Sequence, residues 1–309
     1  MKLFGMLRET RTLLFLKAVL AEFLGTAIVV FLGLAAIITW IPPAFQPDTL
    51  TGTMPIHAST HQASTTSHAA QGASLGLLGV RPTTALTGPE VVPIALAFGI
   101  ALVVVSFCVS PLSGGHLNPA VTVAMAATTR IRPTWALGYV LSQLLGAIAA
   151  SAALYGLTPG QVHKDLGINK LSPGVTQLQA LAIEAGTSFQ LVLCVFATSN
   201  SKREPPKSRH LIIGLSLILG HLVAVRYTGC GMNPARSLGP AVITSVFTHH
   251  WVYWAGPICG GLTAAFTYDV ILVPKWKSLR DWLRTLRKGQ EEGDDAQQST
   301  EKGQEIGLK

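Results

Sequence analysis

Two copies of one tripeptide hold the residues best suited to act on a passing molecule. Asn118-Pro119-Ala120 stands in "SGGHLNPAVTVAM" and Asn233-Pro234-Ala235 in "TGCGMNPARSLGP", 115 positions later. Each asparagine brings an amide that both donates and accepts, and the second tripeptide is followed at once by a fixed positive charge, Arg236. Two acids sit in otherwise uncharged surroundings, Glu22 in "LAEFLGTAIVVFLG" and Glu184 in "LAIEAGTSFQLVLC", each followed shortly by Gly and Thr. This set suits orienting a small polar molecule and repelling charge. It does not suit bond chemistry, because no nucleophile, base and orienting group converge and no metal or phosphate motif occurs. Neither an enzyme nor a cofactor is expected.

The elements that must position these groups are apolar. Of the 309 residues, 49% are hydrophobic and 12% charged, against about 25% charged in soluble domains. Uncharged or nearly uncharged runs cover Ala18–Ile41, Val91–Val109, Trp135–Leu157, Leu178–Ala197, Leu211–Val225 and Trp251–Val273. Most match the ~20 residues that cross a hydrocarbon layer as a helix. The fifth is short and needs extension through Arg226 to Tyr227. Six membrane spans follow, and the first is too long for a cleaved leader and lacks a small-residue cleavage site.

Lys and Arg concentrate at the N-terminal end, at Arg130 and Arg132, between Lys202 and Arg209, and after Val273. These are alternate loops and both termini, so the positive-inside rule places the N and C termini in the cytoplasm. The net charge of +8 therefore reports topology, and no nucleic-acid partner is expected. The four cysteines, Cys108, Cys194, Cys230 and Cys259, show no close pairing, and free thiols are expected.

Three crossings separate the two tripeptides, so they enter the membrane from opposite faces, as in an inverted repeat of about 15–157 and about 176–273. The surplus length of the first half falls at about 42–90, rich in Ser, Thr, Ala and Gly, and reads as a flexible extracellular loop. His57, His61 and His68 within it read as solvated side chains. Beyond Pro274, "KWKSLRDWLRTLRKG" has an amphipathic pattern and predicts a helix at the inner membrane face. Over 275–288 it would offer contact to anionic lipid or a calmodulin-like partner, and an acidic, disordered tail follows to residue 309.

Asn is a strong helix N-cap and Pro is favoured in the first turn, so each tripeptide starts a helix. Only about ten residues follow before polar or basic positions intervene, which covers roughly half a bilayer at about 1.5 Å per residue. Irregular backbone such as "SGGH" and "TGCG" reaches membrane depth only where it is packed in protein or lines a wet cavity. Two such half-helices meeting end to end would line a pore, each presenting its positive end and an Asn amide at the midplane.

From about Phe15 to Val273 the chain resembles the aquaporin (major intrinsic protein) family, on "SGGHLNPAVT", "GCGMNPARSLGPAV" and the paired acids. The resemblance implies an all-α membrane protein with six transmembrane helices and two re-entrant half-helices. It implies a passive water channel whose half-helices exclude protons and cations, a step taken over from the family. It also implies a homotetramer with one pore per protomer, in the lipid bilayer of the plasma membrane. By alignment the outer constriction falls on Phe98, His221, Cys230 and Arg236, a set similar to that of water-selective members. Ser237 after Arg236, Ala241, and the pair Tyr253 and Trp254 are also similar to that class. Cys230 is expected to face the pore, and Glu22 and Glu184 to hold the loops. Arg226 departs from the usual pattern near the outer vestibule. Other classes stay open: a junctional protein of low conductance, a channel for hydrogen peroxide, ammonia or glycerol, or a secondary transporter using Glu22, Glu184 or Asp269.

Overall fold

The computed structural model describes residues 2–39, 91–160, 165–199 and 207–273. The expected loop 42–90, with its histidines, and the expected helix and tail beyond 273 lie outside the described residues. Among the described residues eight α-helices run in order: α1 Lys2–Thr39, α2 Val91–Ser113, α3 Pro119–Ala127, α4 Pro133–Leu157, α5 Gln177–Thr198, α6 Arg209–Thr228, α7 Pro234–Thr244 and α8 Val252–Phe266. The last continues as a π-helical stretch, Thr267–Leu272, and no strand occurs among the described residues.

Six of these helices are long and apolar enough to cross a membrane. The two exceptions, α3 with nine residues and α7 with 11, are the half-helices expected from the tripeptides. The fifth span does extend through Arg226, to Thr228, since a run ending at Val225 would fall short of a full crossing. The first crossing segment runs Thr12–Ile38, starting earlier than the apolar run from Ala18, within a helix that begins at Lys2.

Packing obeys a two-fold relation between α1–α4 and α5–α8. Helix α1 packs on α2 and α4, and α5 likewise on α6 and α8. Each half-helix crosses over, so that α3 lies against α8 and α7 against α4. At the centre α2 meets α6, where Gly99 and Gly214 approach so closely that a Cβ on either would lie 2.8 or 2.7 Å from the other's carbonyl oxygen. The same economy recurs at related positions of α4 and α8. A Cβ on Gly146 would stand 2.4 Å from the Phe23 carbonyl, and one on Gly260 would stand 2.1 Å from that of Ala185. Small residues let helix backbones approach where lipid offers no hydrophobic drive to associate them. Leucines such as Leu20, Leu96, Leu141 and Leu215 remain exposed on the outer faces, as a lipid-facing surface requires.

One ion pair ties a loop to the helical frame. Arg130, after α3, lies 2.7 Å from Asp269 in the π-helical stretch and stacks its guanidinium 4.2 Å from the centre of the Phe196 ring. Asp269 is thereby engaged at the end of the last span.

Candidate functional site: a lumen between two half-helices

The half-helices start as their residue types demand. Asn118 has an extended backbone (φ −158°, ψ 122°) and its side-chain oxygen accepts from the Ala120 N–H at 2.8 Å. Asn233 repeats this (φ −144°, ψ 109°), accepting from the Ala235 N–H at 2.9 Å. Pro119 and Pro234 fill positions whose missing N–H would have had no partner.

The tips then bind each other. Asn118 donates from its amide to the Met232 carbonyl at 2.9 Å, and Asn233 donates to the Leu117 carbonyl at 2.8 Å. Leu117 and Met232 both have positive φ, 52° and 54°, a conformation that costs a non-glycine residue roughly 1–2 kcal/mol. Something must hold them there.

That work falls to the two buried acids. Glu22 accepts from the His116 and Leu117 N–H groups at 2.9 and 2.7 Å, from the Ser113 hydroxyl at 2.6 Å and from the Gln143 amide at 2.7 Å. Glu184 accepts from the Gly231 and Met232 N–H groups at 2.8 and 2.7 Å and from the Thr228 hydroxyl at 2.6 Å. Two tyrosines complete the pairing. Tyr139 donates to the Ser113 carbonyl and Tyr253 to the Thr228 carbonyl, both at 2.9 Å. Both carboxylates are fully buried, and neither has the open coordination that a carried ion needs.

A narrow cavity runs past both tips and is lined by Asn118, Asn233, Phe98, His221 and Arg236 among others. Phe98, His221 and Arg236 cluster tightly. The Phe98 and His221 rings stack with centres 4.5 Å apart, and the Arg236 guanidinium carbon lies 5.3 Å from the Phe98 ring centre. Arg236 donates from Nη1 to the Gly167 carbonyl at 2.7 Å, while its Nε is buried without a protein partner. The His221 Nδ1 lies 2.9 Å from the Leu217 carbonyl. A carbonyl only accepts, so in the neutral ring Nδ1 carries the proton and Nε2 is an acceptor. Nε2 has no protein partner. Cys230 is fully buried at φ 55°, directly before Gly231, which lines the cavity. Arg226 lies on the exposed end of α6, its carbonyl accepting from the Ser172 hydroxyl at 2.7 Å.

Several supporting groups carry no motif of their own. Gly167 contributes only a backbone oxygen, which no residue type announces. Asn169 accepts from the Ser237 hydroxyl at 2.8 Å and so steadies the turn after Arg236. Tyr139 carried a signal, since aligning Gly146 with Gly260 sets Tyr139 against Tyr253, whereas Gln143 falls opposite Pro257 and carried none. His116, within the first motif, and Arg209, outside both motifs, line the cavity on the other side of the tips.

The major intrinsic protein family profile matches residues 9–268 of the chain. The chain belongs to this family. It is 40% identical over 298 residues to Aquaporin-5 of Ovis aries, covering 96% of both chains. It is 39% identical over 288 residues to Aquaporin FA-CHIP of Pelophylax lessonae, covering 93% of this chain and 94% of that one. It is also 38% identical over 302 residues to the lens fiber major intrinsic protein of Oryctolagus cuniculus, covering 97% and 98%. The solved structure of the aquaglyceroporin from Plasmodium falciparum superposes with a TM-score of 0.63 at 19% identity, over 84% of this chain and 97% of that one, a likeness of fold. As an aquaporin-family member the chain is an integral, multi-pass membrane protein of the channel type, and family membership points to a channel rather than an enzyme.

Proposed function

We propose that the chain is a passive, water-selective channel. The observation that carries this reading is a lumen lined by Asn118, Asn233 and the Phe98–His221–Arg236 cluster together. Each asparagine amide has two N–H groups, and one is spent across the tip contact. The other serves the lumen. A water between the tips turns its oxygen toward both amides, and its hydrogens then point away in both directions, which interrupts the uniform chain that proton hopping needs.

At the cluster, Arg236 donates and repels cations while the bare His221 nitrogen accepts a hydrogen from the same water. Phe98 supplies an apolar wall without a hydrogen bond. Such a ring accepts a molecule that both donates and accepts within one small volume, and offers little room to a polyol. Cys230 stands as the fourth member of this set by its family position. Glu22 and Glu184 act as positioning residues for the loops. The N and C termini face the cytoplasm, the chain resides in the plasma membrane, and four protomers assemble, each with its own lumen.

The test is stopped-flow shrinkage of proteoliposomes in parallel sucrose and glycerol gradients. Fast osmotic shrinkage with no glycerol entry is expected, and shrinkage equal to that of empty liposomes would overturn the reading. Replacing His221 and Arg236 by small residues should admit glycerol. Unaltered glycerol exclusion would remove the filter assignment and leave the channel.

A further inference from the structure

The lumen does not end at the Asn tips. On the side away from the Phe98 cluster it is lined by Gly114, Gly115, His116 and Arg209. Arg209 is the first residue of α6, twelve positions before His221, so it stands roughly 18 Å away along that helix at about 1.5 Å per residue. Its Nε is buried without a hydrogen-bond partner, and the ion pairs found among the described residues, Arg130–Asp269 and Lys170–Asp165, do not involve it.

Stability does not explain this placement. A helix N-terminus is the positive end of the macrodipole, where a basic side chain is unfavourable by a few tenths to about 1 kcal/mol, and Ser208 before it makes no side-chain cap. The neighbouring ring is held by uncharged groups. His210 lies 3.0 Å from the Ser106 hydroxyl and 3.3 Å from that of Ser110. This fixes the start of α6 against α2 and holds Arg209 beside the lumen. His116 lies 3.1 Å from the Thr122 hydroxyl. The charges near this rim are the guanidinium and a helix N-terminus, both positive, and the Glu22 carboxylate, which is fully buried and spent on the Ser113, His116, Leu117 and Gln143 donors.

We infer that Arg209 is a second cation barrier, placed at the opposite mouth from Arg236 and acting in series with it. This rests on the channel reading proposed above. The ~18 Å along α6 from Arg209 to His221, whose ring stacks on Phe98 beside Arg236, exceeds the ~8–10 Å screening length at physiological salt, so each guanidinium repels a cation approaching from its own side. Arg209 thus protects the Asn tips from cations arriving through the basic loops, where Arg236 has no reach.

The experiment uses the full chain in proteoliposomes with Arg236→Val as the parent variant, which removes the first barrier and exposes the second. Sodium leak is measured against osmotic water flux in the parent, in Arg236→Val/Arg209→Gln and in Arg236→Val/Arg209→Lys. Repulsion between like charges several ångström apart at intermediate dielectric amounts to about a tenfold change in entry. The Gln variant should therefore raise the sodium-to-water ratio about tenfold, while the Lys variant stays near the parent. The rise should shrink in high salt. An equal ratio in Gln and Lys variants, or no leak in any of them, overturns the inference, and so does a rise that salt leaves untouched. A role for Arg209 in membrane anchoring alone would leave the ratio unmoved. Loss of water flux in the unmutated chain would instead overturn the channel reading itself. Should the Gln variant fail to insert, Arg209→Ala in the same background gives the same readout.

Discussion

Exchanging Glu184 for glutamine tests whether one buried acid holds the second tip in place. Its two oxygens meet the Gly231 and Met232 N–H groups and the Thr228 hydroxyl at 2.6–2.8 Å. Glutamine preserves the shape but turns one acceptor into a donor. Whichever way its amide settles, it faces a backbone N–H that cannot accept, so at least one buried donor is left unsatisfied. Such a loss costs about 1–3 kcal/mol, and the surviving bonds lose the strengthening that a charged acceptor supplies. About 3 kcal/mol is expected for Glu184→Gln. For Glu184→Leu, which leaves all three donors without an acceptor, about 5 kcal/mol or more is expected on the same scale. At ~2–4 °C per kcal/mol for a chain of this size, the glutamine variant should lose ~6–12 °C of thermal midpoint in detergent, followed by the monodisperse fraction after stepwise heating. Osmotic flux should fall with it, because the Met232 carbonyl that Glu184 positions also receives Asn118. A leucine variant with the midpoint and flux of the unmutated chain would refute the assignment of Glu184 as the holder of this tip.

Gly260→Ala should reduce folded yield sharply, since its Cβ would lie 2.1 Å from the Ala185 carbonyl and overpacking against backbone costs about 1–3 kcal/mol or more. Gly186→Ala, with nothing within 4 Å of the added Cβ, should be tolerated. Size-exclusion profiles of the two variants compare them directly. Asn233→Asp sets a carboxylate oxygen against the Leu117 carbonyl in place of a 2.8 Å donor and should lower osmotic flux about tenfold, in line with a loss of ~1–3 kcal/mol. Stopped-flow shrinkage normalised to reconstituted protein checks it. Cys230→Ser should abolish inhibition of water flux by a mercurial, and block that persists would assign the reactive thiol to Cys108, Cys194 or Cys259.

The spans and half-helices were legible because each carries its own signal. Apolar length marks a crossing, and Asn followed by Pro marks a helix start wherever it occurs. The acids Glu22 and Glu184 were legible as a pair because charge is rare in such surroundings and each repeats in the same local context. The reach of α6 needed the structure, since Arg226 interrupts the apolar run without interrupting the helix. The partner of Arg236 was not legible at all, because Gly167 offers a carbonyl that every residue has. Nor did the sequence give the hydrogen-bond state of His221, which depends on the Leu217 carbonyl one turn earlier on α6. Arg209 stood among other basic loop residues and read as part of the charge asymmetry. Only its position beside the lumen separates it from them.

The reciprocal bonds from Asn118 to Met232 and from Asn233 to Leu117 bear on how the chain is made. The first half leaves the ribosome with its tip carbonyl and its amide both unmatched, and their partners are residues not yet synthesised. Until α7 arrives, "SGGHLNPA" therefore has a claim on temporary shelter, from water or from the insertion machinery. The final threading of the second tip past the first is a late event in biogenesis, and a ribosome stalled between Ala127 and Met232 would expose a half-built molecule that quality control could read.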